Sequence, residues 1–147
     1  MNSIEVHLMP GVRDAIAGHL CSVYPQEGCG ALVGKAAGNT VQIVSAAALA
    51  NTETGRAGDR FTVDALEYAR LERELAARND GSAVVGFFHS HPDSAALPSS
   101  IDLERAIGLY EFTQTQYVYA IQSIINGRAG ELRFWILDAS AKVFNEL

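Results

Sequence analysis

Cysteine is scarce in this 147-residue chain: only Cys21 and Cys29 occur, and no Cys-x-x-Cys pair is present. A structural zinc held by four thiolates is thereby excluded. The two cysteines could form one disulfide, but nothing in the sequence signals secretion, so they are read as two reduced, buried thiols. Long apolar runs are missing too, which removes a membrane-spanning helix. The amino terminus, Met1-Asn-Ser-Ile-Glu, lacks the charged-then-apolar pattern of a secretory signal. The expected compartment is the cytoplasm. Positive charge is short, with 11 Lys and Arg against 17 Asp and Glu and a formal net charge of −6. No basic cluster relieves that balance, which argues against nucleic acid as a partner. Repeats, low-complexity tracts and linkers are absent as well.

What is present is ordinary for a globular protein: 48% hydrophobic and 19% charged residues. At this length residues 1–147 read as one domain, able to bury roughly 68–70% of its unfolded surface without staples. The periodicity is that of an α/β chain. Ile4, Val6 and Leu8 alternate as a strand, and after Pro10 the residues Val12, Ile16, Leu20 and Val23 keep helical spacing up to Pro25. Residues 31–34 and 41–49 read as strands joined at Gly38-Asn39. A polar loop, 51–60, precedes a helix over 63–78 whose buried side would draw on Leu66, Tyr68, Ala69, Leu71 and Leu75. Asn79-Asp80-Gly81 ends it. A helix over 101–112 would bury Leu103, Ile107 and Tyr110. Strands over 117–124 and 132–137 then flank the turn signal Asn126-Gly127.

The chemistry concentrates in Gly86-Phe87-Phe88-His89-Ser90-His91-Pro92, with Ser99 and Asp102 beyond it. If the apolar run into His89 is a strand, His89 and His91 project from one face and can share one metal ion. Asp102 supplies a carboxylate eleven residues further on. A His₂Asp set leaves one tetrahedral position open, as in catalytic zinc sites. Each piece also has a plain explanation. His-x-His on a strand is a common surface pattern, and Ser99-x-x-Asp102 before an apolar helix is a capping box. The joint arrangement points to a metal site, since a cap and a ligand are compatible roles in one turn. Upstream, Glu27 in Tyr24-Pro-Gln-Glu-Gly-Cys-Gly-Ala-Leu-Val-Gly34 reads alone as a solvated loop charge. Gly28 and Gly30 beside it permit close backbone approach or unusual dihedrals, as for an acid held in a cleft. The deaminase signature His-x-Glu with Pro-Cys-x-x-Cys is absent.

Glu27-x-Cys-Gly-x-Leu-x-Gly34, then His89-Ser-His-Pro92, then Ser99-x-x-Asp102, resembles the JAMM (MPN+) metalloproteases. The likeness is strongest to the short bacterial members labelled Mov34/MPN/PAD-1, and it runs from about Ile4 to Leu137. It implies an MPN fold, a mixed and mostly antiparallel sheet flanked by helices, similar to cytidine deaminases. It also implies one catalytic Zn²⁺ on His89, His91 and Asp102, Glu27 as general acid/base, and Ser99 as hydrogen-bond donor to the developing oxyanion. No catalytic position of the family pattern is missing.

Enzymes of that family commonly hydrolyse the peptide or isopeptide bond after the C-terminal glycines of ubiquitin-like proteins. The short bacterial members are associated with ubiquitin-like sulfur carriers of the ThiS/MoaD type, from which they release cysteine or a short extension. The resemblance therefore implies a sulfur-carrier partner, with a groove walled by the 51–60 and 93–98 loops. Three alternatives stand beside it: a general small-peptide or amide metallohydrolase, a zinc-stabilised module that binds ubiquitin-like tails without cleaving them, and a nuclease-linked role by analogy with DNA-repair proteins of related fold, which the acidic balance opposes. Oligomeric state is not legible in the sequence.

Overall fold

The computed structural model describes residues 3–147, so Met1 and Asn2 of the amino-terminal stretch read above lie outside the described residues. Its elements run β1 (Glu5–Leu8), α1 (Val12–Val23), β2 (Cys29–Ala37), β3 (Thr40–Leu49), α2 (Ala65–Arg78), β4 (Ala83–Pro92), α3 (Ser100–Thr113), β5 (Val118–Ile125), β6 (Arg128–Asp138) and β7 (Val143–Glu146). All seven strands join one sheet in the order β1-β3-β2-β4-β5-β6-β7. The pairs β1–β3 and β4–β5 are parallel and the other four antiparallel. The expected mixed α/β sheet flanked by helices is the observed one.

Strand alternation sorts the core onto two faces. Val12, Ile16 and Leu20 of α1 pack with Leu32, Ile43, Phe88 and Ile124. Cys29, Ala31 and Leu49 face the other way and meet Tyr68 and Leu71 of α2 together with Phe87. Within β4, then, Phe88 belongs to the α1 side and Phe87 to the α2 side, and period two carries His89 and His91 to the same side as Phe87. A parallel pair requires a crossover, and α3 provides it between β4 and β5. The carboxyl end of β4 therefore meets the amino end of α3, which brings the His-x-His and Ser-x-x-Asp signals together.

Several expectations need correction. Leu66 is 77% exposed, and Ala69 is exposed as well. The buried side of α2 runs through Tyr68, Leu71 and Leu75, at helical spacing, and Leu66 lies about 200° around the axis from Tyr68. In α3 Ala106 is the buried residue, while Leu103, Ile107 and Tyr110 are half-buried. This helix stands off the sheet above an apolar cavity. Strand β2 begins at Cys29 rather than at residue 31, and β7 had no counterpart in the sequence reading. No helix among the described residues is long and apolar enough to cross a membrane.

Candidate metal centre and active site

Glu27 is fixed by hydrogen bonds to its backbone and those of its neighbours. Its N–H donates to the Ala57 carbonyl (2.6 Å), and its carbonyl accepts from Asn51 Nδ2 (2.9 Å). Next door, the Gly28 N–H donates to Ser90 Oγ (2.8 Å) and the Ser90 N–H returns a bond to the Gly28 carbonyl (3.1 Å). The glycines act through close approach. A Cβ on Gly28 would strike Leu20 and Val23, and one on Gly30 would strike the Phe88 ring and the Ala47 carbonyl, so neither site accepts a side chain without displacement. The Glu27 side chain is held in this frame at 5% exposure. No hydrogen bond from the described residues reaches its carboxylate.

Opposite Glu27, three side chains converge. His89 Nε2 lies 3.2 Å from His91 Nε2 and 3.2 Å from Asp102 Oδ2, and His91 Nε2 lies 3.0 Å from the same oxygen. Asp102 is oriented by the capping box at the start of α3. The Ser99 N–H donates to Asp102 Oδ2 (2.9 Å), and the Asp102 N–H donates to Ser99 Oγ (3.0 Å). Capping and convergence on the histidines thus coexist at one residue. Ser99 Oγ accepts in this arrangement, so its own O–H is free to donate, and Ser99 is exposed.

The tautomer of His91 follows from its other nitrogen. Nδ1 lies 2.9 Å from the Ala95 carbonyl, an acceptor, so Nδ1 carries the proton. In a neutral ring Nε2 then presents a lone pair, so its 3.0 Å contact with Asp102 Oδ2 needs either a second proton on His91 or a cation shared with the carboxylate. His89 satisfies its own contact with Asp102 when its ring proton sits on Nε2, whereas one cation among the three atoms satisfies all of them. Separations of 3.0–3.2 Å also approach the roughly 3.3 Å edge of a tetrahedron with zinc–ligand bonds of about 2.0–2.1 Å. The donor set fits a zinc ion. Donor atoms of Glu27, His89 and His91 likewise lie within 4.8 Å of one another. Glu27 nevertheless forms no hydrogen bond with either ring, whereas Asp102 meets both, so Asp102 is the better third donor.

Burial sets the electrostatics. It lifts the Glu27 carboxyl to about 7, with the Asp102 and Asp59 charges adding to the rise and His91 and Arg105 opposing it. Burial also pulls His89 below the usual imidazole range. For His91 the same burial effect is outweighed by the Asp102 and Ala95 hydrogen bonds, and the net direction is upward. Asp102 is held well below the usual carboxylate range, because bonds from both histidines and the Ser99 N–H outweigh its burial. Cys29, fully buried behind Glu27, has its thiol pushed up to about 12, mainly by burial.

A cavity of about 320 Å³ opens beside these groups, lined by Glu27, Arg60, His91, Ser99, Asp102 and Arg105 among others. Both loops expected to wall a groove contribute to it, through Asp59 and Arg60 from one and Ser94, Ala95 and Leu97 from the other. A larger apolar cavity of about 580 Å³ lies between α2, α3 and the sheet and shares Phe61, Asp102 and Arg105 with the first. Phe61 stacks on His89, with centroids 4.7 Å apart. Arg105 lies 5.3 Å from the same ring centroid and donates to the Phe61 carbonyl. Sequence reasoning missed Phe61 and Arg105, and took Arg60 only as part of the 51–60 loop. Of these only Arg105 carried a signal, three residues after Asp102 and so on the same helix face.

The profile describing prokaryotic homologs of the JAB domain matches residues 9–138. The chain belongs to the prokaryotic JAB family. The JAMM/MPN likeness read from the Glu-x-Cys-Gly, His-Ser-His-Pro and Ser-x-x-Asp motifs is thereby borne out. A desampylase of Haloferax volcanii is 33% identical to this JAB-family chain over 127 residues, 84% of each protein. Among solved structures, a protein of Desulfitobacterium hafniense superposes with a TM-score of 0.77 at 22% identity, covering 97% of this chain and 89% of its own. A protein of Salinibacter ruber superposes with a TM-score of 0.69 at 30% identity, covering 96% and 88%.

Proposed function

We propose that this chain is a zinc-dependent hydrolase of the peptide or isopeptide bond that follows the C-terminal Gly-Gly of a ubiquitin-like protein. The observation that carries this reading is the convergence of His89, His91 and Asp102 within 3.0–3.2 Å beside the buried Glu27. The desampylase relative supports isopeptidase action on a ubiquitin-like partner. His89, His91 and Asp102 are the residues that would hold the metal. A zinc ion there supplies Lewis acidity, which acidifies water and polarises the scissile carbonyl. Glu27, uncommitted and raised to about 7, accepts a proton as the water oxygen bonds to the carbonyl carbon. It returns that proton to the nitrogen as the carbon–nitrogen bond breaks, and the second water proton leaves the new carboxyl, so a Gly-Gly carboxylate and a protonated amine result. The Ser99 hydroxyl donates to the developing oxyanion.

For the substrate we favour a sulfur carrier of the ThiS/MoaD type, extended by cysteine or a short peptide, because the cavity beside the site is small. All seven strands in one sheet support a single domain over 1–147. The two free thiols support a reducing compartment, and we place the activity in the cytoplasm. The test is incubation of zinc-loaded protein with a carrier ending Gly-Gly-Cys, read by intact mass with and without chelator. Loss of cysteine that chelation abolishes supports the proposal. Chelator-resistant cleavage, or none with zinc bound, refutes it for this substrate.

A further inference from the structure

Two guanidinium groups, of Arg60 and Arg105, line the cavity beside Glu27, His91 and Ser99. Neither is in an ion pair among the described residues, although acids outnumber bases in the chain. The nearby acid Asp59 is engaged by Arg56 instead (2.5 Å). The Arg60 Nε is buried without a hydrogen-bond partner. Arg105 uses one donor on the Phe61 carbonyl and lays its plane near the Phe61 ring, which leaves most of its five N–H groups unspent. An unpaired arginine with a fixed planar fork at a cavity wall is suited to a carboxylate. Arg105 is also placed by α3 one turn beyond Asp102, so its position is tied to that of the metal-binding carboxylate.

We infer that Arg105, seconded by Arg60, is a specificity-determining anchor for the free α-carboxylate of the residue released by hydrolysis. This rests on the function proposed above and narrows its leaving group. In a carrier extended by a single amino acid, the carboxylate lies two bonds from the scissile nitrogen, close enough for one cavity to hold both. An isopeptide-linked lysine within a protein offers no such anion there. The chain is thereby tuned to trimming a one-residue extension rather than to releasing conjugated proteins.

The experiment compares two substrates on zinc-loaded protein: one carrier ending Gly-Gly-Cys as the free acid, and the same carrier as the C-terminal amide. A charge-assisted bond to the carboxylate is expected to favour the acid by about tenfold or more in kcat/KM. In Arg105→Gln, which keeps a donor for the Phe61 carbonyl, the acid-to-amide ratio is expected to fall toward one. A merely structural role would lower both rates and leave the ratio intact. Arg105→Lys keeps the charge but not the fork, and is expected to lose part of the ratio. Equal cleavage of acid and amide by the wild type overturns the inference but leaves the hydrolase reading standing, as does an unchanged ratio in either variant. Cleavage of neither substrate by the wild type overturns the hydrolase reading and this inference with it.

Discussion

Replacing Glu27 with glutamine tests whether the candidate base is held as a desolvated acid. The side chain is 5% exposed, and burial lifts its carboxyl from the ordinary 4.5 to about 7. A carboxyl raised on folding binds its proton more tightly in the native state. Its contribution to stability is therefore fully present below about pH 4.5 and is lost as pH rises through about 7. A displacement of about 2.5 pH units at 1.36 kcal/mol each sets a ceiling of about 3 kcal/mol on that loss. Glutamine does not titrate. In metal-free protein, Glu27→Gln should gain on the wild type by about 2–3 kcal/mol between pH 5 and pH 8. His91 and Asp102 are common to both proteins, so their own titration enters the difference only through their coupling to Glu27. Urea unfolding at pH steps with a chelator present measures this gap. Zinc should shrink it, because a cation facing the carboxylate favours the ionised form. A gap flat to within about 0.5 kcal/mol across that range would refute the desolvation argument.

Other outcomes follow from the same geometry. His89→Ala or Asp102→Ala should abolish zinc binding and hydrolysis together, as metal analysis and carrier cleavage would report. Ser99→Ala should lower turnover by about 10²–10³ with zinc retained, and removal of the α3 cap should cost about 0.5–2 kcal/mol in urea unfolding. Gly30→Ala should destabilise the fold by about 1–3 kcal/mol, since the new Cβ meets the Phe88 ring and the Ala47 backbone carbonyl; an unchanged unfolding midpoint would contradict that. Native protein treated with iodoacetamide should take one label, at the half-buried Cys21, and two only after unfolding, because Cys29 is fully buried with its thiol raised to about 12.

The parts of this architecture legible in the sequence are those fixed by short-range period and spacing. Alternation alone put His89 and His91 on one face of a strand. The Ser99-x-x-Asp102 spacing gave both the cap of α3 and the acid that meets those histidines. The Val12, Ile16, Leu20 stripe gave the buried face of α1. What escaped depends on contacts distant in the chain. The sheet order, with β2 between β3 and β4, is set by pairings that no local pattern encodes. Strand β7 is four residues long and mostly exposed, too short to show a period. Leu66 is apolar, and only the docking direction of α2 reveals that it faces solvent. Phe61, Arg60 and Arg105 meet at the site because the loop after β3 folds toward α3, and Phe61 and Arg60 carry no spacing signal of their own.

Metal content and cleavage measured on one sample of Glu27→Ala separate metal binding from proton transfer. If His89, His91 and Asp102 hold the zinc and Glu27 moves the proton, the variant should carry one zinc per chain, like the wild type, and leave a Gly-Gly-extended carrier uncleaved by intact mass while the wild type trims it. Substantial cleavage by zinc-loaded Glu27→Ala would rule out Glu27 as the proton-transfer group.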